Sequence, residues 1–122
     1  MGTDCACSAA PKLIFSCSGA ADVGEVADRA GRQLTREGCG KMFCLAGIGG
    51  RVSGIIKTTE AAASILAIDG CPLDCARKSL EEAGFARFDH LRLTDMGLEK
   101  GKTEASETVV AMVADKARTF LA

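Results

Sequence analysis

Three short, almost uninterrupted apolar runs, each closed by small or turn-forming residues, constrain this chain more than any other feature. Lys12–Cys17 runs into Ser18-Gly19, Lys41–Ala46 into Gly47-Ile48-Gly49-Gly50, and Ser64–Asp69 into Gly70-Cys71-Pro72. A strand that is apolar on both faces has to be covered on both faces, as happens in parallel sheets flanked by helices. Helical periodicity fills the intervals. Val23, Val26, Ala27, Ala30 and Leu34 recur at helical spacing between residues 20 and 37, with Asp22 in the first turn and Gly38 as a stop. Residues 51–63 are a weaker helix, because Gly54 and Thr58-Thr59 lower the propensity. Pro72 suits the first position of a helix running through Leu73, Ala76, Leu80 and Ala83 to Gly84. Residues 87–94 alternate, with Leu91 and Leu93 opposite His90 and Arg92, the pattern of an edge strand with one wet face. Thr103 is placed to cap a last helix whose apolar face is Val109, Val110, Val113, Ala117, Phe120 and Leu121. The expectation is an α/β fold: a single small doubly wound domain over 12–122, with a roughly four-stranded, mostly parallel sheet, helices on both faces and strand order 2-1-3-4. Residues 1–11 read as a flexible leader.

Composition excludes several function classes. The 122 residues suit one domain, and 48% hydrophobic with 25% charged residues is ordinary globular usage, so disorder and fibrous architectures fall away. Fifteen basic against sixteen acidic residues, with no basic run, argue against nucleic acid and anionic membranes as partners. No apolar stretch approaches the ~20 residues of a membrane span. The N-terminus, from Met1 to Cys7, carries neither a signal-peptide pattern nor a myristoylation signal, so a cytoplasmic location is expected.

Seven cysteines are the abnormal number. An odd count in a chain without a secretory signal points to metal binding or thiol chemistry rather than a disulfide framework. In a parallel sheet, ligands collect at the carboxyl ends of the strands. Cys17 closes the first strand, Cys44 lies near the end of the second and Cys71 follows the third. Cys75 would join them from one turn along the helix that Pro72 opens, with Cys71 as its N-cap and the helix dipole favouring thiolates. Four thiols at one edge is the count that closes a tetrahedral zinc site. Asp74 would bond back to the N-cap amide, Gly70 would supply the dihedrals of a tight turn, and Asp69 would shape the entry. Lys41, Arg51, Arg77 or Lys78 would offset the surplus negative charge.

On Cys17-Ser-Gly-Ala-Ala-Asp-Val-Gly24, Cys44-Leu-Ala-Gly-Ile-Gly-Gly50 and Asp69-Gly-Cys-Pro-Leu-Asp-Cys75-Ala, the chain resembles the DGC-domain family, named for an Asp-Gly-Cys motif. The resemblance runs from about Cys17 to Lys100 and implies zinc held by four shared cysteines, which map onto Cys17, Cys44, Cys71 and Cys75. It implies no particular catalytic activity.

The remaining candidates divide. Cys5 and Cys7 form a Cys-x-Cys pair on the leader that would be an accessory thiol pair. Cys39, in Gly38-Cys39-Gly40, belongs at the opposite edge of the sheet and reads as a bystander. His90, the only histidine, reads as an edge-strand surface residue. No glycine loop matches a dinucleotide fingerprint or a Walker motif. A thiol-phosphatase loop would require arginine six residues after Cys17, where Val23 stands. The expected function is a cytoplasmic protein binding one zinc ion per chain, in a structural or metal-handling role and more a binding protein than an enzyme. The competing expectation is a thiol-dependent redox or sulfur-transfer enzyme with Cys71 or Cys17 as nucleophile and Cys75 resolving.

Overall fold

The computed structural model describes residues 10–122. The elements are β1 (Lys12–Ser16), α1 (Asp22–Arg36), β2 (Lys41–Met42), α2 (Leu45–Gly49), α3 (Ser53–Glu60), β3 (Ser64–Asp69), α4 (Cys75–Glu82), β4 (Asp89–Arg92), a 3-10 turn (Leu93–Met96) and α5 (Glu107–Leu121). The sheet is parallel throughout, in the order β2-β1-β3-β4 expected from the alternation of apolar runs with helices. Cys5 and Cys7 lie outside the described residues.

Strand alternation sorts the core into two layers. Ile14, Leu66, Ile68 and Leu91 face α1 and α5, packing on Val26, Ala27, Ala30, Leu34, Val110 and Val113. Leu13, Phe15, Ile65 and Ala67 face the other side, packing on Ile48, Ala76 and Leu80. Because β1 and β3 are buried on both faces, their sequences carry no polar alternation.

Several boundaries differ from the sequence expectation, each for a local reason. The second strand stops at Met42, because the Cys44 sulfur accepts the Gly47 N–H at 3.3 Å and caps α2, so the Gly47–Gly50 stretch read as a loop is largely helical. The last helix is capped by Ser106, whose hydroxyl accepts the Val109 N–H at 3.2 Å, and not by Thr103, whose backbone N–H is held by Asp22. The helix expected from Pro72 begins at Cys75. Pro72 is exposed and outside it, so Cys71 is no N-cap, and the helical spacing that would have put Cys71 and Cys75 on one face does not apply.

Candidate functional site at the carboxyl edge of the sheet

The carboxyl ends of β1, β3 and β4 meet at the turn Asp69-Gly70-Cys71. The Gly70 N–H donates to the Cys17 sulfur at 3.1 Å, joining the end of β1 to the turn after β3 across 53 residues of sequence. Gly70 is a glycine for closeness, not for dihedral freedom: a Cβ there would lie 2.8 Å from the Val23 carbonyl carbon and oxygen. The turn is thereby pressed onto the first turn of α1, which starts just beyond Cys17.

Two carboxylates, almost wholly inaccessible, frame the turn. Asp69, 1% exposed, accepts the N–H of Ala76 at 2.7 Å and of Arg77 at 3.0 Å, and its Oδ2 is 2.8 Å from His90 Nε2. It caps α4 from a distance, which is why that helix starts without a side-chain cap from its own N-terminal neighbour. Asp74, 2% exposed, takes a left-handed backbone conformation at φ 54°. Rather than bonding back to an N-cap amide, it accepts Arg92 Nε on Oδ1 at 2.8 Å, and on Oδ2 a second Arg92 nitrogen together with Arg77 at 2.9 Å. Arg92 chiefly holds the Asp74 carboxyl down at about 2, with Arg77 and His90 acting the same way against the opposing effect of burial.

His90 is therefore not the surface residue that alternation suggested. Registers Ala67 to His90 and Asp69 to Arg92 put both basic residues on the same side of the sheet as the carboxylates. The face read as wet is aimed at buried charge, and His90 is 19% exposed. Asp69, Asp74 and His90 bring one ligand atom each within 4.8 Å of one another, and they are the only such trio of histidine, cysteine and acidic side chains among the described residues. Those three side chains could hold a metal ion only in competition with Arg77, Arg92 and two backbone amides.

The thiols gather less tightly than the sequence suggested. Cys17 and Cys71 are half-buried, while Cys75 and Cys44 are exposed. Burial pushes the Cys17 thiol up to about 11, against the Gly70 hydrogen bond, and the charges of Asp69, Cys75 and Cys71 push it further up. Those three side chains are thus its electrostatic neighbours. Cys44 lies apart, lining a cavity of about 580 Å³ with Arg32, Thr35, Arg36, Met42 and Phe43. Tetrahedral zinc with Zn–S near ~2.3 Å puts its sulfurs ~3.8 Å apart, and among the described residues no three thiols come within 4.8 Å of one another. Cys39 sits between α1 and β2, packed against the α1–α5 layer, 3.9 Å from Glu37 Oε1 and away from this edge. Of the expected charge-offsetting residues, Arg77 serves Asp74 and Glu81, while Arg51 is spent on the carbonyls of Ile48, Gly49 and Glu82.

The model of the DGC domain matches residues 13–117, from the first strand into the last helix. The chain belongs to the DGC-domain family. A relative in Pseudomonas aeruginosa, described as "Anaerobic and virulence modulator AnvM", is 35% identical over 95 residues, covering 78% of this chain and 72% of that protein. No solved structure matches. Among the described residues of this DGC domain, no helix is long and apolar enough to cross a membrane.

The Asp-Gly-Cys motif thus has a division of labour: the aspartate caps α4, the glycine lets the turn reach α1, and the cysteine is presented at the edge. Sequence reasoning missed His90 and Arg92 as parts of this edge, and it placed Arg77 there as a charge offset for thiolates and not as a partner of Asp74. The signal available was that β4 alternates two basic side chains on one face, opposite a strand ending in a carboxylate.

Proposed function

We propose that this DGC domain binds one zinc ion per chain through thiolates at the carboxyl edge of its sheet, with Cys17, Cys71 and Cys75 as the core of the ligand set and Cys44 as the fourth, the thiols closing around the ion from the wider spacing of the metal-free fold and Cys44 moving in from the cavity it lines. The observation that carries the reading is the hydrogen bond from Gly70 to Cys17, which anchors a half-buried sulfur beside the turn bearing Cys71 and next to Cys75. The donor chemistry fits. Cys17 is a soft ligand whose ionised form is opposed chiefly by burial, and also by the charges of Asp69, Cys75 and Cys71. A divalent ion would offset that charge, and zinc takes thiolates with no geometric preference from its d-electrons. When bound, zinc would supply folding free energy and keep these thiols ionised. The naming of the relative as a modulator favours a regulatory use of such a site over a metabolic one.

The second reading, a thiol enzyme, is favoured by the exposure of Cys75. It weakens for Cys17 as nucleophile, because a thiol held near 11 is almost wholly protonated at neutral pH.

Elemental analysis of protein purified without added metal tests the proposal. The expected result is about one zinc per chain, lost in Cys71→Ser and Cys75→Ser and retained in Cys39→Ser. Full metal content in Cys71→Ser would overturn the ligand assignment. A short pulse of alkylating reagent on metal-replete protein separates the readings: protected Cys71 and Cys75 support the metal site, and rapid labelling of Cys71 supports the enzyme.

A further inference from the structure

We propose that His90 and Arg92 of β4 are positioning residues for the thiol pair Cys71 and Cys75, acting through Asp69 and Asp74. This rests on the reading of those thiols as metal ligands, and it concerns what fixes their presentation.

The segment between the two cysteines is not shaped by packing of its own side chains. Pro72 is exposed and Leu73 is 59% exposed. Asp74 is the only one of the three intervening residues that is buried, and it stands in a left-handed conformation that most residues with a Cβ avoid and that aspartate takes more readily than most. What holds it is mostly β4. Arg92 grips both carboxylate oxygens of Asp74 with two nitrogens of its planar guanidinium, a forked contact that fixes orientation as well as distance. His90 lies 2.8 Å from Asp69 Oδ2 and 3.7 Å from Asp74 Oδ1, so it stands between the two carboxylates.

The backbone then transmits both anchors to the thiols. The Asp74 N–H donates to the Cys71 carbonyl at 3.1 Å, and the Asp74 carbonyl accepts the Lys78 N–H at 2.8 Å, inside the helix that Cys75 opens. Asp69 holds the next two amides of that helix, Ala76 and Arg77. Each cysteine is therefore one hydrogen bond or one peptide from a carboxylate that β4 fixes. Residues that orient ligands in this way typically change metal affinity ~10–100-fold without changing stoichiometry.

The test uses Arg92→Ala, Arg92→Lys, His90→Ala and His90→Gln, with Lys102→Ala, which breaks an exposed ion pair with Glu99, as control. In metal-free protein, pulse alkylation should show Cys71 and Cys75 labelling several-fold faster relative to Cys39 in the two alanine variants and near the parent rate in Lys102→Ala. In Arg92→Lys the rate should be intermediate, because an ammonium restores the charge but not the fork. His90→Gln should restore most of what His90→Ala loses, since the amide can still donate to Asp69. Zinc competition should show ~10–100-fold weaker binding at unchanged stoichiometry, with an altered visible spectrum of the cobalt(II) form. If Arg92→Ala fails to fold, Arg92→Lys and His90→Ala carry the comparison. Labelling ratios and cobalt spectra identical to the parent would overturn the proposal. A parent protein that binds no zinc would overturn the metal reading instead, while the alkylation ratios in metal-free protein still decide the positioning role.

Discussion

A methyl group on Gly70 would fall 2.8 Å from the Val23 carbonyl, and neither side has a flexible end to withdraw, since the contact is with backbone. Gly70→Ala should therefore cost ~1–3 kcal/mol, as overpacking of rigid surroundings does, read as a lower urea midpoint with unchanged slope. The same collision pushes the turn off Cys17, so the variant should also label faster at that thiol. In the parent metal-free protein Cys17 should resist alkylation at neutral pH and gain reactivity only as pH rises toward about 11. Mass spectrometry after short pulses at pH 7, 9 and 11 checks this, and fast labelling at pH 7 would contradict the burial that holds the proton on. The sequence showed a glycine and a cysteine at strand ends, and so placed both residues at the edge. It did not show why each is needed, because the reasons lie in Val23 and in the burial of Cys17.

At the level of elements, the contrast between α4 and α5 shows which structure could be read locally. Ser106 caps α5 from the adjacent position, so Ser106→Ala should cost about 1 kcal/mol. Asp69 caps α4 from seven and eight residues away and serves His90 as well. Asp69→Ala leaves two amides near the protein interior without an acceptor, and a loss of ~2–4 kcal/mol is expected. Chemical denaturation of both variants beside the parent ranks the two caps; equal costs would mean that the distant cap carries no more than the local one. The apolar runs made the strands, their order and most helices legible because burial on both faces leaves a local imprint. The start of α4 was misplaced because Pro72 is a good local signal for a helix that a remote carboxylate begins three residues later. The brief helix α2 was missed because its glycines hide the propensity while a sulfur supplies the cap. The pairs Asp69–His90 and Asp74–Arg92, 21 and 18 residues apart, follow from sheet register, which no spacing motif encodes.

Across the whole molecule, charge links these contacts to acid stability. Asp74 ionises at about 2 in the fold against an ordinary 3.8, so between those values the unfolded chain binds a proton that the native chain does not. Unfolding there takes up a proton, and stability falls as pH drops from about 4 toward 2. Asp22, lowered chiefly by the amides of Gly101 and Thr103, adds in the same direction. Denaturant midpoints at pH 5, 4, 3 and 2 should decline in the parent and decline less steeply in Asp74→Asn, which is less stable throughout; parallel curves would show that Asp74 is not a source of the acid sensitivity.

The central position of β1 has a consequence for synthesis. That strand matches β2 over two residues only, and its five-residue match is with β3, which begins at Ser64. A nascent chain leaving the ribosome thus exposes Leu13, Ile14 and Phe15, all fully enclosed in the finished fold, until more than fifty further residues have emerged. Until then α1 can cover one face of β1, but the long edge stays open, an invitation to a chaperone or to another unfinished copy.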